Sequence, residues 1–153
     1  MDDTSGDHPR LPGFAPIPDW ESTFRRYMML EDDRFALIVV FEKPYEEEAV
    51  VALLDVAVRR LPILVARARQ IIADRYLTIH NERWRGDEGP VDEGSFKARL
   101  ELKSLLILSP EMLEITFDDD DLFWGHSLSA AFTLPGGKLS EVETLSGTAT
   151  MFG

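Results

Sequence analysis

Residues Ser104 to Leu134 read "SLLILSPEMLEITFDDDDLFWGHSLSAAFTL". Apolar residues recur here at every second position. Leu113, Ile115 and Phe117 share one side of a strand, because successive side chains of an extended chain point to opposite faces. "SLLILS" predicts a strand, "MLEITFD" a second, and "FWGHSLSAAFTL" a long third. In that register Trp124, His126, Leu128, Ala130, Phe132 and Leu134 line one face, and Phe123, Gly125, Ser127, Ser129 and Ala131 the other. The register places His126 in an apolar row, and Asp118, Asp119, Asp120 and Asp121 at the tip of the preceding hairpin.

The rest of the chain is read outward from this block. "PGG" predicts a turn and "KLSEVETLSG" the last strand. Upstream, "STFRRYMMLE" alternates and "RFALIVVFE" is apolar on both faces, with Asp32–Asp33 as the turn between them. Pro44 ends that strand, and a helix follows with Glu46, Glu47 and Glu48 in its first turn and Arg59 and Arg60 in its last, matching the helix dipole. Its middle is apolar almost all round, which predicts deep burial. Pro62 kinks it or starts a second helix running to about Asn81, with Leu64, Ala68, Ile71, Ile72 and Ile79 inside and Arg60 and Arg67 outside. "RGDEGPVDEG" is a loop, and Asp92 or Ser95 caps a short third helix in which Phe96 and Leu100 share a face. The order β-β-α-α-α-β-β-β-β, with strands in hairpin-like groups, predicts an α+β fold: an antiparallel sheet with helices packed on one face. Residues 1–20 hold Pro9, Pro12, Pro16 and Pro18 and predict an extended arm that Phe14, Ile17 and Trp20 could pin to a single domain of residues 21–153.

A chain of 153 residues can bury a real core, and 44% hydrophobic with 29% charged residues is an ordinary globular balance. The formal net charge is −12, which argues against nucleic acid and anionic membrane surfaces and favours a basic protein partner. With no cysteine, disulfides, thiolate catalysis and Cys-ligated zinc are excluded. No apolar run reaches the roughly 20 residues of a membrane span, and the N-terminus lacks the pattern of a signal peptide. A cytoplasmic location is the expectation. No P-loop, G-x-G-x-x-G, G-x-S-x-G or H-E-x-x-H is present, so no cofactor is expected.

The aspartate run has three readings: a solvated acidic turn, a cation site, or a docking surface for a basic partner. The spacing is wrong for an EF-hand. His126 reads either as a core histidine with one ring nitrogen held by a carbonyl or carboxylate, or as a metal or catalytic group. Ser127, on the opposite face, cannot pair with it as nucleophile and base. "TIHNERW" predicts a helix C-cap by Asn81, with Trp84 folding back as an anchor. His8 lies in the arm and is expected to be solvated.

The stretch from about Asn81 to Gly147 resembles a bacterial family, domain of unknown function 2262. The likeness rests on Asn81 and Trp84 closing a helix, Phe96 in a short helix, an acidic turn, then Leu122-Phe123-Trp124-Gly125-His126-Ser127-Leu128, and Gly147 closing the last strand. The resemblance implies an α+β fold and no established activity. Related small acidic domains resemble immunity proteins that bind and block one toxin. Three functions are therefore carried forward: a protein-binding module, with an immunity-type inhibitor of a basic toxin or nuclease as its specific form; a divalent-cation-dependent enzyme or sensor using Asp118–Asp121 and His126; and a structural homo-oligomer. Binding is favoured over catalysis.

Overall fold

The strand pair that opens the fold is a regular hairpin. Thr23–Leu30 (β2) and Asp33–Val40 (β3) pair antiparallel from Thr23↔Val40 to Leu30↔Asp33. In this computed structural model, which describes residues 11–41, 47–134, 139, 142 and 145–153, a two-residue strand, Ala15–Pro16 (β1), precedes them and pairs with β2. Proline lacks the donor needed to continue a ladder, so β1 stays short at the sheet edge. Beside it Leu11 and Phe14 are buried, whereas Trp20 is exposed.

The helices follow as one block: Glu47–Arg59 (α1), Leu61–Ile79 (α2) and Glu93–Arg99 (α3), with a π-helical turn at His80–Trp84 closing α2. The chain then returns through Glu101–Ser109 (β4), Met112–Asp118 (β5), Ser127–Thr133 (β6) and Thr148–Phe152 (β7). The sheet order is sequential from β1 to β7. Every neighbouring pair is antiparallel except β3–β4, which is parallel because the helical block carries the chain back to the starting end of the sheet. The fold is thus α+β with seven strands, mostly antiparallel, and not the six-strand order expected from the sequence.

Two differences have local causes. The last strand is Thr148–Phe152, not Lys138–Gly147. Leu139, Val142 and Leu145 are three residues apart, a spacing that does not alternate across a strand; Leu139 and Val142 are buried, and Leu145 N–H bonds the carbonyl of Val142 at 3.2 Å. The long strand also starts late: Phe123 to His126 lie in the preceding loop. The expected turn at Pro135–Gly137, the strand stop at Pro44 with the helix start at Tyr45 and Glu46, and His8 fall outside the described residues.

One face of the sheet carries the core. Phe35, Leu37 and Val39 of β3 stand beside Leu105 and Ile107 of β4, then Leu113, Ile115 and Phe117 of β5, then Leu128, Ala130 and Phe132 of β6, all buried. Burying each large side chain contributes roughly 1.5–3 kcal/mol. Helix α2 lies against β6 and β7, and α1 against β4. Val50, Leu53, Leu54 and Ala57 form the buried stripe of α1, while Val51, Val56 and Val58 are only partly buried; α1 is amphipathic rather than deeply enclosed. In α2 the inner stripe runs through Leu64, Ala68, Ile71 and Ile72 to Tyr76, and Ile79 is exposed. No helix among the described residues is long and apolar enough to cross a membrane.

Candidate functional site

The aspartate run is organised from within by Asp119, which is 1% exposed. Its Oδ2 accepts the backbone N–H groups of Phe123 at 2.8 Å, Gly125 at 3.1 Å and His126 at 3.1 Å, and its Oδ1 accepts that of Asp121 at 3.0 Å. A buried carboxylate is tolerated only when paired or hydrogen-bonded, and four donors meet that need. The loop between β5 and β6 is wound around this one side chain. Asp119 is therefore an internal residue of the loop and not part of its outer surface.

The other three aspartates face outward. Asp118 Oδ1 accepts the N–H of Asp119 at 2.9 Å, and its Oδ2 lies 3.9 Å from Lys103 Nζ. Arg99 donates from Nε to Asp120 Oδ2 at 3.1 Å and from Nη2 to the Asp120 carbonyl at 2.6 Å, while Nη1 lies 3.6 Å from Glu88. These two cations relieve the crowding of like charge. The hydrogen bond to the Glu101 carboxylate holds the Lys103 ammonium above its usual range, and the charges of Glu101, Asp118 and Asp33 add to it. Asp121 has no ion pair among the described residues.

The backbone of the loop explains its second half. Asp120, Asp121 and Trp124 have φ of 47°, 62° and 60°, and Gly125 has 93°. Asp visits the left-handed region with modest cost and glycine with none, but for a bulky tryptophan that conformation is strained. The consequence is visible in burial. Phe123 turns into the core at 0% exposed, and Trp124 turns out at 65%. The sequence register had placed Trp124 and His126 in the core row; the structure places Leu122 and Phe123 inside instead, with His126 half-buried.

Trp124 is exposed yet fixed. Its indole Nε1 donates to the carbonyl of Trp84 at 3.1 Å, and the two indoles lie 4.6 Å apart in a tilted stack. Trp84 also meets the rings of Phe123 at 5.5 Å and His126 at 5.6 Å, both edge-on. Nδ1 of His126 is held by the Phe123 carbonyl, which requires the proton on that nitrogen. The buried histidine is His80, 0% exposed against Phe96 and Phe123. Its Nδ1 donates to Asn81 Oδ1 at 3.1 Å, since that oxygen can only accept, and its Nε2 is buried without a partner. Asn81 does not cap α2. Its side chain bonds the backbone of Val91 twice, Nδ2 to the carbonyl and Oδ1 from the N–H, each at 2.9 Å. Both residues lie on the π-turn, from which Asn81 reaches that loop and Trp84 the aspartate loop; such turns are frequent at functional sites.

A groove of about 770 Å³ opens beside Asp120, between the β2–β3 turn, α2 and the α3–β4 junction. Arg69 occupies it, donating to the Leu100 carbonyl at 3.0 Å and pairing with Asp33 at 3.4 Å and Glu31 at 3.8 Å. Its cation is spent on holding three elements together. Among the described residues no three His, Asp or Glu side chains come together in a way that could hold a metal ion.

The sequence signals that mark this site were present but indirect. Two adjacent apolar residues, Leu122 and Phe123, break the alternation, and Gly125 follows Trp124 where a left-handed turn is needed. No pattern singled out Asp119 from its three neighbours.

No curated protein and no solved structure matches the chain. A family profile does match, over residues 21–140, which includes the hairpin, all three helices and the aspartate loop. By that match the chain belongs to the family described as "Uncharacterized protein conserved in bacteria (DUF2262)".

Proposed function

We propose that this protein is a non-catalytic binding module whose contact surface is the β5–β6 loop, with Trp124 as anchor and Asp118, Asp120 and Asp121 as its acidic rim. The observation that carries the reading is a tryptophan 65% exposed and held rigid by a hydrogen bond and a ring stack. Tryptophan dominates binding hot spots because it offers a large contact area at little entropic cost. A loop already fixed by Asp119 pays little further ordering cost on association. The net charge of −12 supports a basic partner, which it would steer toward the loop. An immunity-type inhibitor of a basic toxin or nuclease, acting in the cytoplasm, fits this chemistry. The carboxylates give less support to a cation-dependent enzyme or sensor. Asp119 has committed both oxygens to backbone donors, and Asp118 and Asp120 face Lys103 and Arg99.

The test is affinity capture from bacterial lysate with wild-type protein and Trp124→Ala, at low and high salt. The expected result is a basic protein recovered near one to one by the wild type, weakened by salt, and bound at least ~30-fold more weakly by the variant, the loss typical of a hot spot. Equal recovery by both proteins would remove the loop from the interface.

A further inference from the structure

We propose that β7 is a self-pairing edge: two copies of the chain join antiparallel through Thr148–Phe152 about a two-fold axis at Thr150. The proposal stands independently of the Trp124 reading.

The two edges of the sheet are built differently. At the β1 edge the strand has two residues, one of them Pro16, and Arg25 and Arg26 follow on β2. Short strands, proline and charge are the devices that keep an edge from pairing. At the other edge, among the described residues, β7 pairs only with β6, from Ser127↔Phe152 to Ala131↔Thr148, with no bulge. Its sequence, TATMF, holds no charge and no proline in a chain that is 29% charged. Nothing in the strand blunts its outward N–H and C=O groups.

The pattern is also self-complementary. Antiparallel pairing centred on Thr150 sets Thr150 opposite its own copy, Ala149 opposite Met151, and Thr148 opposite Phe152. Thr150 and its copy form a cross-strand threonine pair, and aromatic beside β-branched is a favourable pair. The faces agree as well. Thr148, Thr150 and Phe152 share the open side of the sheet, where Phe152 is 44% exposed, and Ala149 points into the core at 5%. Pairing would cover Phe152 with the partner's Thr148. The partner's strand end would arrive beside the groove that Arg67, Ile71 and Arg75 of α2 form with Ser146–Ala149. An isologous contact of this kind closes at two copies, so it predicts dimers and not fibres.

Sedimentation equilibrium of the full chain tests this from micromolar to millimolar concentration. The expected result is a reversible monomer–dimer equilibrium that strengthens with salt, because two copies of net charge −12 repel. Thr150→Lys and Thr150→Glu would each weaken the dimer at least ~10-fold, since like charges then meet at the axis, and mixing the two would restore it. A wild-type monomer throughout the range, or a Thr150→Lys protein that dimerises like wild type, would overturn the proposal. If a variant loses its fold by circular dichroism, amide exchange of β7 in the wild type decides. Protection that rises with protein concentration supports the pairing, and protection independent of concentration refutes it.

Discussion

Asp119 and Trp124 divide the labour of one loop, and single substitutions separate them. Asp119→Ala removes a buried carboxylate and strands the N–H groups of Asp121, Phe123, Gly125 and His126. A buried donor left unsatisfied costs roughly 1–3 kcal/mol, so with several stranded at once chemical denaturation should show a loss of at least about 3 kcal/mol. Asp121→Asn, at an exposed side chain with no ion pair among the described residues, should stay within about 0.5 kcal/mol of wild type. Trp124 has the opposite profile. Trp124→Gly gives up the bond to Trp84 but relieves a left-handed tryptophan, and strain there is worth about 1–3 kcal/mol. The variant is expected to match or exceed wild-type stability in urea melts while losing partner capture. A clear loss of stability would make Trp124 a structural residue and sink the anchor reading. Strain kept at a position that contributes little to the fold is the mark expected of function.

Elements set by neighbouring residues were legible in the sequence, and those set by distant ones were not. The start of α3 is local. Asp92 Oδ1 accepts the N–H of Ser95 at 2.7 Å, as its place before Phe96 suggested. That backbone bond, then the Ser95 hydroxyl, holds the Asp92 carboxyl below its ordinary value of 3.8. A lowered folded-state value means stability that is present above the ordinary value and lost as pH falls through the folded one. Asp92→Ala should therefore melt below wild type near neutral pH, and the gap should close as pH drops below the carboxylate range. A gap that persists in acid would mean that charge on Asp92 is not what caps α3. The parallel β3–β4 contact, by contrast, depends on where the helical block returns the chain. Gly147 shows the difference. It was read as closing a strand, but its role is packing: a Cβ there would stand 2.9 Å from the Ala131 carbonyl and the Phe132 ring, in the approach to β7. Gly147→Ala is expected to cost about 1–3 kcal/mol in thermal or urea unfolding, the usual range for overpacking. The aspartate loop is local, yet its register is set by backbone donors that side-chain alternation does not show. Alternation could be carried through Phe123 to His126 on paper, but the donors that gather on Asp119 come from four positions, Asp121, Phe123, Gly125 and His126, and reverse the faces.

Charge acts on the whole molecule, and it gives the fold and its contacts opposite responses to salt. The chain has 28 acidic and 16 basic residues. Among the described cations, Arg69 pairs with Asp33 and Glu31, Arg99 with Asp120 and Glu88, and Lys103 with Glu101 and Asp118. These are surface pairs, each worth about 0–1 kcal/mol and weakened by salt. The surplus of acid is spread over a small body, and its self-repulsion is screened once the Debye length falls to about 10 Å near 0.1 M salt. Repulsion outnumbers pairing, so the melting temperature should rise between low salt and about 0.15 M. A complex between this protein and a basic partner should weaken over the same interval, because screening removes the attraction that steers it. Thermal melts and partner affinity measured along one salt series check both together. A melting temperature that falls with salt would mean the ion pairs at Arg69, Arg99 and Lys103 outweigh the net charge. An affinity that does not fall would leave Trp124, and not the acidic rim, as the source of recognition.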